Sequence, residues 1–267
     1  MKLRTFGLSL IGAASLAVLP ACKKDEAPPA PSTPTTGQAQ TPTPPSAQPQ
    51  TPPAPAGKST IRGVVKFNGE APAAADIAPS ADPACEGMAL KEAAVLVKDG
   101  KLQNVLVRVK GAVAGAPAAP STPVVIDQTK CTYTPRVQGA QAGQAIQVKN
   151  SDQTLHNVRA VTGTKSIFNL AQPPSGPPLT KPVPTDVELL QLKCDVHPWM
   201  KAFVAVHPHP YFSTTGEDGG FSLTGLPAGT YTIEAWHETF GTKTAEVTVK
   251  DGETAETSFE FSATDKG

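Results

Sequence analysis

The chain has 267 residues, with 23 basic side chains balanced by 23 acidic ones. With no positive surplus to neutralise phosphates, nucleic acid is not an expected partner. Many of its 29 prolines cluster near the start, so part of the length cannot enter a packed core.

Lys2 and Arg4 precede an apolar run over residues 6–19, broken only by Gly and Ser. The run is too short to span a bilayer and suits a secretory leader over residues 1–21. It ends in Leu19-Pro20-Ala21-Cys22, which resembles a bacterial lipobox. That resemblance implies that Cys22 becomes a lipidated N-terminus, which anchors the chain to a membrane in the cell envelope. Without the leader the charge balance becomes slightly negative, while Lys23 and Lys24 would sit at the headgroups. Residues 22–58 hold 11 prolines among Ala, Thr, Ser and Gln, and are expected to be a disordered, extended tether.

Beyond the tether, short β-runs alternate with turn residues, which predicts an all-β chain. Residues 61–67 read as a strand closed by Asn68-Gly69. Residues 94–98 and 102–109 flank Asp99-Gly100, a hairpin signal. Ile146 and Val148 alternate with polar neighbours. The stretch 161–187 carries six prolines, so it is expected to be an irregular surface loop that cannot supply a central strand. Leu190, Leu192 and Cys194 share one face at period two, which places Cys194 at an inward strand end. Residues 202–206 continue as a strand. His207-Pro208-His209-Pro210 reads as an exposed linker rather than a second metal site. Further short strands follow to residue 261. Those 55 or so residues lie near the lower size limit for independent folding, so residues 61–67 are a candidate strand for them to borrow.

Four residues carry the chemistry. Cys194-Asp195-Val196-His197-Pro198-Trp199-Met200 and Leu155-His156-Asn157-Val158 together supply one thiolate, two imidazoles and one thioether. That set suits a blue-copper site, with two His and one Cys in a plane and a weak axial Met, because it accommodates both copper oxidation states. Zinc is less well matched: structural zinc sites close with further Cys or His, and Met is a poor zinc ligand. Trp199 has two readings, a packing residue over the site or part of an apolar docking patch. Of the four cysteines, Cys85 and Cys131 remain after Cys22 and Cys194; in an exported chain a disulfide is the natural reading, with two buried thiols the alternative. The scattered Asp, Glu and Ser form no acid–base or nucleophilic constellation, so no enzyme activity is expected.

Residues 143–206 resemble the second half of a cupredoxin of the amicyanin and plastocyanin type. The resemblance lies in the segment ending His156-Asn157-Val158 and in the short ligand loop 194–200. It implies a Greek-key β-sandwich over residues 59–206 that holds one type 1 copper ion on His156, Cys194, His197 and axial Met200. Asn157 would brace the loop and tune the thiolate, and a redox protein such as a cytochrome would be the partner. Residues 207–262 resemble a carboxypeptidase regulatory-like, transthyretin-type β-sandwich. The resemblance rests on Asp218-Gly219-Gly220-Phe221, Gly225-Leu226-Pro227-Ala228-Gly229-Thr230-Tyr231 and Ala235-Trp236-His237. Such a module is accessory, and no His-Glu-x-x-His motif is present. The expected function is single-electron transfer by a lipid-anchored copper protein. Two competitors are copper sequestration or delivery without electron transfer, and a structural surface protein with a vestigial site.

Overall fold

The computed structural model describes residues 57–78 and 81–267. The leader at 1–21, Cys22 and nearly all of the tether at 22–58 lie outside the described residues. The described chain is all-β and builds four sheets.

Two sheets face each other around the candidate ligands. One runs β10 (Lys165–Gln172), β9 (His156–Thr162), β12 (Leu189–Lys193), β13 (Lys201–His207), β7 (Val137–Gln141). The other runs β11 (Leu179–Pro182), β8 (Ala145–Asn150), β5 (Val124–Thr129), β6 (Thr132–Thr134). Most strand pairs are antiparallel, but β13 pairs β7 and β5 pairs β8 in parallel. Alternation sets the inner faces. Ile146 and Val148 from β8, Val158 and Ala160 from β9, Leu190 and Leu192 from β12, and Val204 from β13 form one core. Each buried Val, Leu or Ile among them contributes about 1.5–3 kcal/mol relative to exposure.

The second pair of sheets draws on both ends of the chain. β1 (Ser59–Asn68) pairs antiparallel with β15 (Gly220–Leu226) and parallel with β18 (Thr254–Glu256) and β19 (Phe259–Ser262). β2 (Val97–Lys98) and β3 (Lys101–Leu102) extend that sheet through β1. Facing it are β14 (Phe212–Thr214), β4 (Leu106–Val109), β16 (Gly229–His237) and β17 (Gly241–Val249). Ile61, Val65, Leu102, Val107, Leu223, Ile233 and Phe261 meet in its core. A small cluster of Leu106, Val137, Phe203 and Ala205 joins the two sandwiches.

Strand pairing therefore departs from a break at residue 206. Residues 59–68 and 97–109 lie in sheets with the C-terminal strands, and residues 124–207 form the sandwich around the ligands. The first of these segments includes the strand expected as a loan to the small C-terminal module. Two further expectations are corrected. The proline-rich stretch 161–187 is not wholly irregular: it holds β10 and β11, each at a sheet edge, where Pro182 costs no central ladder bond. The His207–His209 segment is no exposed linker. β13 runs through His207, and both imidazoles are about 1 % exposed or less because they pack as rings against Phe212 and Tyr211.

Candidate metal centre

Cys194 ends the inward row of β12, and it is 2 % exposed. His156 opens β9 on the same inner face and is fully buried. The loop between β12 and β13 returns His197 over the sulfur, with the Met200 amide donating to the His197 carbonyl at 2.9 Å. Cys194 Sγ lies 3.9 Å from His156 Nδ1 and 3.7 Å from His197 Nδ1, and the two Nδ1 atoms are 2.9 Å apart. The three ligand atoms thus lie within 4.8 Å of one another. An ion about 2.0 Å from each nitrogen and about 2.3 Å from sulfur, in a plane, sets sulfur–nitrogen separations of about 3.7 Å and a nitrogen–nitrogen separation of about 3.5 Å. The sulfur distances fit, and the two rings need to part by roughly half an ångström. Met200 is 1 % exposed and packs in the same core as Cys194, where a thioether suits a dry site.

The outer edge of each imidazole is claimed by a carboxylate. His156 Nε2 donates to Asp152 Oδ2 at 3.0 Å, and His197 Nε2 donates to Asp82 Oδ2 at 3.0 Å. A carboxylate only accepts, so both rings carry their proton on Nε2 and direct the Nδ1 lone pair inward. Burial holds His156 below its ordinary value, against the pull of Asp152, and so favours the neutral ligand form. Asp82 is lowered first by the Thr154 hydroxyl, which donates to it at 2.6 Å, and further by the Ala84 amide and His197.

Asn157 braces the thiol side. Its amide N–H points at Cys194 Sγ at 3.5 Å, and its Oδ1 accepts the Asp195 amide at 2.6 Å. Its Nδ2 donates to Asn169 and Asp195. Asn169, Arg159 and Asn157 together hold Asp195 below the usual carboxylate range, with Asn169 the largest cause. Tyr133, 4 % exposed, sets its hydroxyl 2.9 Å from the Asn157 carbonyl and 3.2 Å from that of Lys193, the neighbours of His156 and Cys194. Trp199 packs beside His197 with ring centroids 5.1 Å apart and donates its indole N–H to the Cys131 carbonyl at 2.8 Å.

Cys85 and Cys131 form a disulfide, and Cys194 is the one free cysteine among the described residues. Asp82, Cys85 and His197 also cluster, but the bridged sulfur has no thiolate to offer, so this group is no site in the oxidised chain. His156, Cys194 and His197 are gathered at one place, Asn157 borders it, and Met200 lies in the same core. Cys22 lies outside the described residues. Sequence reasoning missed Asp82 and Asp152. The only trace of Asp152 is its place four residues before His156, and that of Asp82 its place three before Cys85.

Residues 198–262 match the family model of the carboxypeptidase regulatory-like domain. None of the curated proteins matches the chain. Cupredoxin-like solved structures are similar over part of it. One is a purple cupredoxin from Nitrosopumilus maritimus: 21 % identity, 32 % of this chain against 99 % of that one, TM-score 0.28. Another is amicyanin from Paracoccus versutus: 19 % identity, 38 % of this chain and 97 % of that one, TM-score 0.29. A copper-containing nitrite reductase from Thermus scotoductus matches over 37 % of this chain but only 25 % of its own length, at 19 % identity and TM-score 0.30.

Proposed function

We propose that His156, Cys194, His197 and Met200 hold a single type 1 copper ion, and that the chain carries single electrons in the cell envelope. The observation that carries this reading is the buried convergence of one sulfur and two Nδ1 atoms on one point. Lipid on Cys22 would anchor the chain and residues 22–58 would tether it. In this reading the protein is a carrier, not an enzyme.

When bound, copper would supply the one-electron change, and a mixed sulfur and nitrogen set tolerates both of its oxidation states. The protein's own residues bind, orient and exclude water. Asp152 and Asp82 fix the tautomer and direction of the two imidazoles, and outer contacts of this kind limit rearrangement. The Asn157 amide points at the sulfur and helps to fix its position. Ile126, Val148, Leu192 and Met200 keep the surroundings dry.

A second reading, copper capture or delivery, is favoured by one observation. The ring of His197 is only 1 % exposed, so it offers no bare imidazole edge to an electron partner. The full-length chain loaded with Cu(II) should develop an intense visible thiolate-to-copper absorption and exchange electrons rapidly with a cytochrome. Colour without such exchange favours capture. A colourless, EPR-silent chain that takes up no copper refutes both.

A further inference from the structure

The Cys85–Cys131 disulfide touches both histidine edges through a short chain of contacts. On one side, Cys85 lies three residues after Asp82, and its Sγ is 3.6 Å from His197 Nε2. Asp82 itself is seated by the Ala84 amide and the Thr154 hydroxyl, so the segment 81–87 caps the edge of His197. On the other side, Lys130 and Cys131 form the turn between β5 and β6, both in the left-handed region at φ 53° and 55°. Neither is glycine, so each holds a backbone conformation that L residues rarely adopt. Their amides donate to the two oxygens of Asp152 at 2.6 and 2.9 Å, and Asp152 holds His156. The Cys131 carbonyl also receives Trp199, the neighbour of His197. One covalent link thus joins the cap that steadies one ligand to the strained turn that steadies the other.

We propose that the disulfide is a latch on the metal centre: while it is closed, Asp82 is a positioning residue for His197 and the cap seals that imidazole from solvent; when a dithiol opens it, the cap lifts and the site loses its hold on metal. In the opening step the Cys85–Cys131 bond breaks, each sulfur gains one electron and one proton, and the two thiols of the reductant join as a disulfide. Nothing in the step requires the metal. The latch controls access to His197; resting on the copper reading, it names the contact whose loss would let that site release its ion.

The chain has five histidines and all are buried, so chemical modification reads the latch cleanly. Metal-free, full-length protein is treated with diethyl pyrocarbonate, with the disulfide closed or opened by dithiothreitol, and the modified histidines are mapped by mass spectrometry. Opening is expected to speed modification of His197 about tenfold or more, as local release of the cap implies, while His207, His209 and His237 stay protected. An unchanged rate at His197 in fully reduced protein overturns the proposal. Should reduction expose all five, the variant Asp82→Ala with the disulfide intact decides: faster modification of His197 upholds the latch and an unchanged rate overturns it. Transfer of bound copper to a chelator gives the second readout. Loss of an outer partner should speed release on the order of 10- to 100-fold in Asp82→Ala and in the double variant Cys85→Ser, Cys131→Ser. Adding the double change to Asp82→Ala should then add little, because both act through the same contact. Equal, multiplying effects would reduce the disulfide to a purely structural brace and overturn the latch. A chain that binds no copper sinks the carrier reading, while the modification rates still decide this one.

Discussion

Replacing Tyr133 by Phe tests how the two ligand strands are held in register. The ring stays in its core position, and only the hydroxyl is lost. That hydroxyl lies 2.9 Å from the Asn157 carbonyl and 3.2 Å from the Lys193 carbonyl, so it spans the residues next to His156 and Cys194. It has one proton to give, and the nearer carbonyl is the stronger claimant. Burial, first, and the neighbouring Cys194 and Asp195 push its pKa well above the usual phenol value, so it remains a donor across the working pH range. Its loss removes one net hydrogen bond and leaves a partly buried acceptor short, at a cost of about 1–2 kcal/mol. For a folded region of this size each kcal/mol is worth about 2–4 °C, so the melting temperature of the metal-free chain should fall by roughly 2–8 °C. Circular dichroism melts of both proteins at one pH measure it. A fall below about 1 °C would refute the claim that this hydroxyl ties the strands together.

Arg136→Ala should cost about 1–3 kcal/mol in urea unfolding, because it removes the donor that Arg136 Nη2 offers the half-buried Glu238 carboxylate at 2.9 Å; a loss under about 0.5 kcal/mol would contradict the pairing. Gly63→Ala should destabilise by at least about 1–3 kcal/mol, since its added carbon would overlap the Thr257 carbonyl oxygen; a neutral result would contradict the packing of β1 on the connection between β18 and β19. His207 and His237 are held down to about 3 and about 4, chiefly by burial, against an ordinary 6.5. The unfolded chain therefore takes up protons that the folded one refuses. Stability is full above about pH 6.5 and falls as the pH drops toward 4, by up to about 2.7 kcal/mol per pH unit for the pair. Flat urea midpoints between pH 7 and pH 5 would contradict it.

The parts of the fold legible in the sequence are those written in local alternation. Leu190, Leu192 and Cys194 mark one face because a strand turns every second side chain inward, and the same rule fixes Ile146 and Val148. Partnership between distant strands is not written that way. Nothing within residues 59–68 names β15, β18 and β19 as neighbours, because pairing depends on which faces remain unburied once both ends of the chain are present. His207 and His209 look like a linker in the sequence because prolines sit beside them, whereas a neutral imidazole buries well against aromatic rings. The ligand types were legible through their chemistry and close spacing. Asp82 and Asp152 were not, since a lone carboxylate has no sequence signature, and one of them acts on a histidine more than a hundred residues away.

Copper-edge X-ray absorption of the loaded full-length chain interrogates the metal centre most directly. One sulfur and two imidazole nitrogens at bonding distance, with the sulfur signal lost in Cys194→Ser, is the predicted result. A shell of oxygen and nitrogen alone, or a sulfur signal that survives Cys194→Ser, would contradict it.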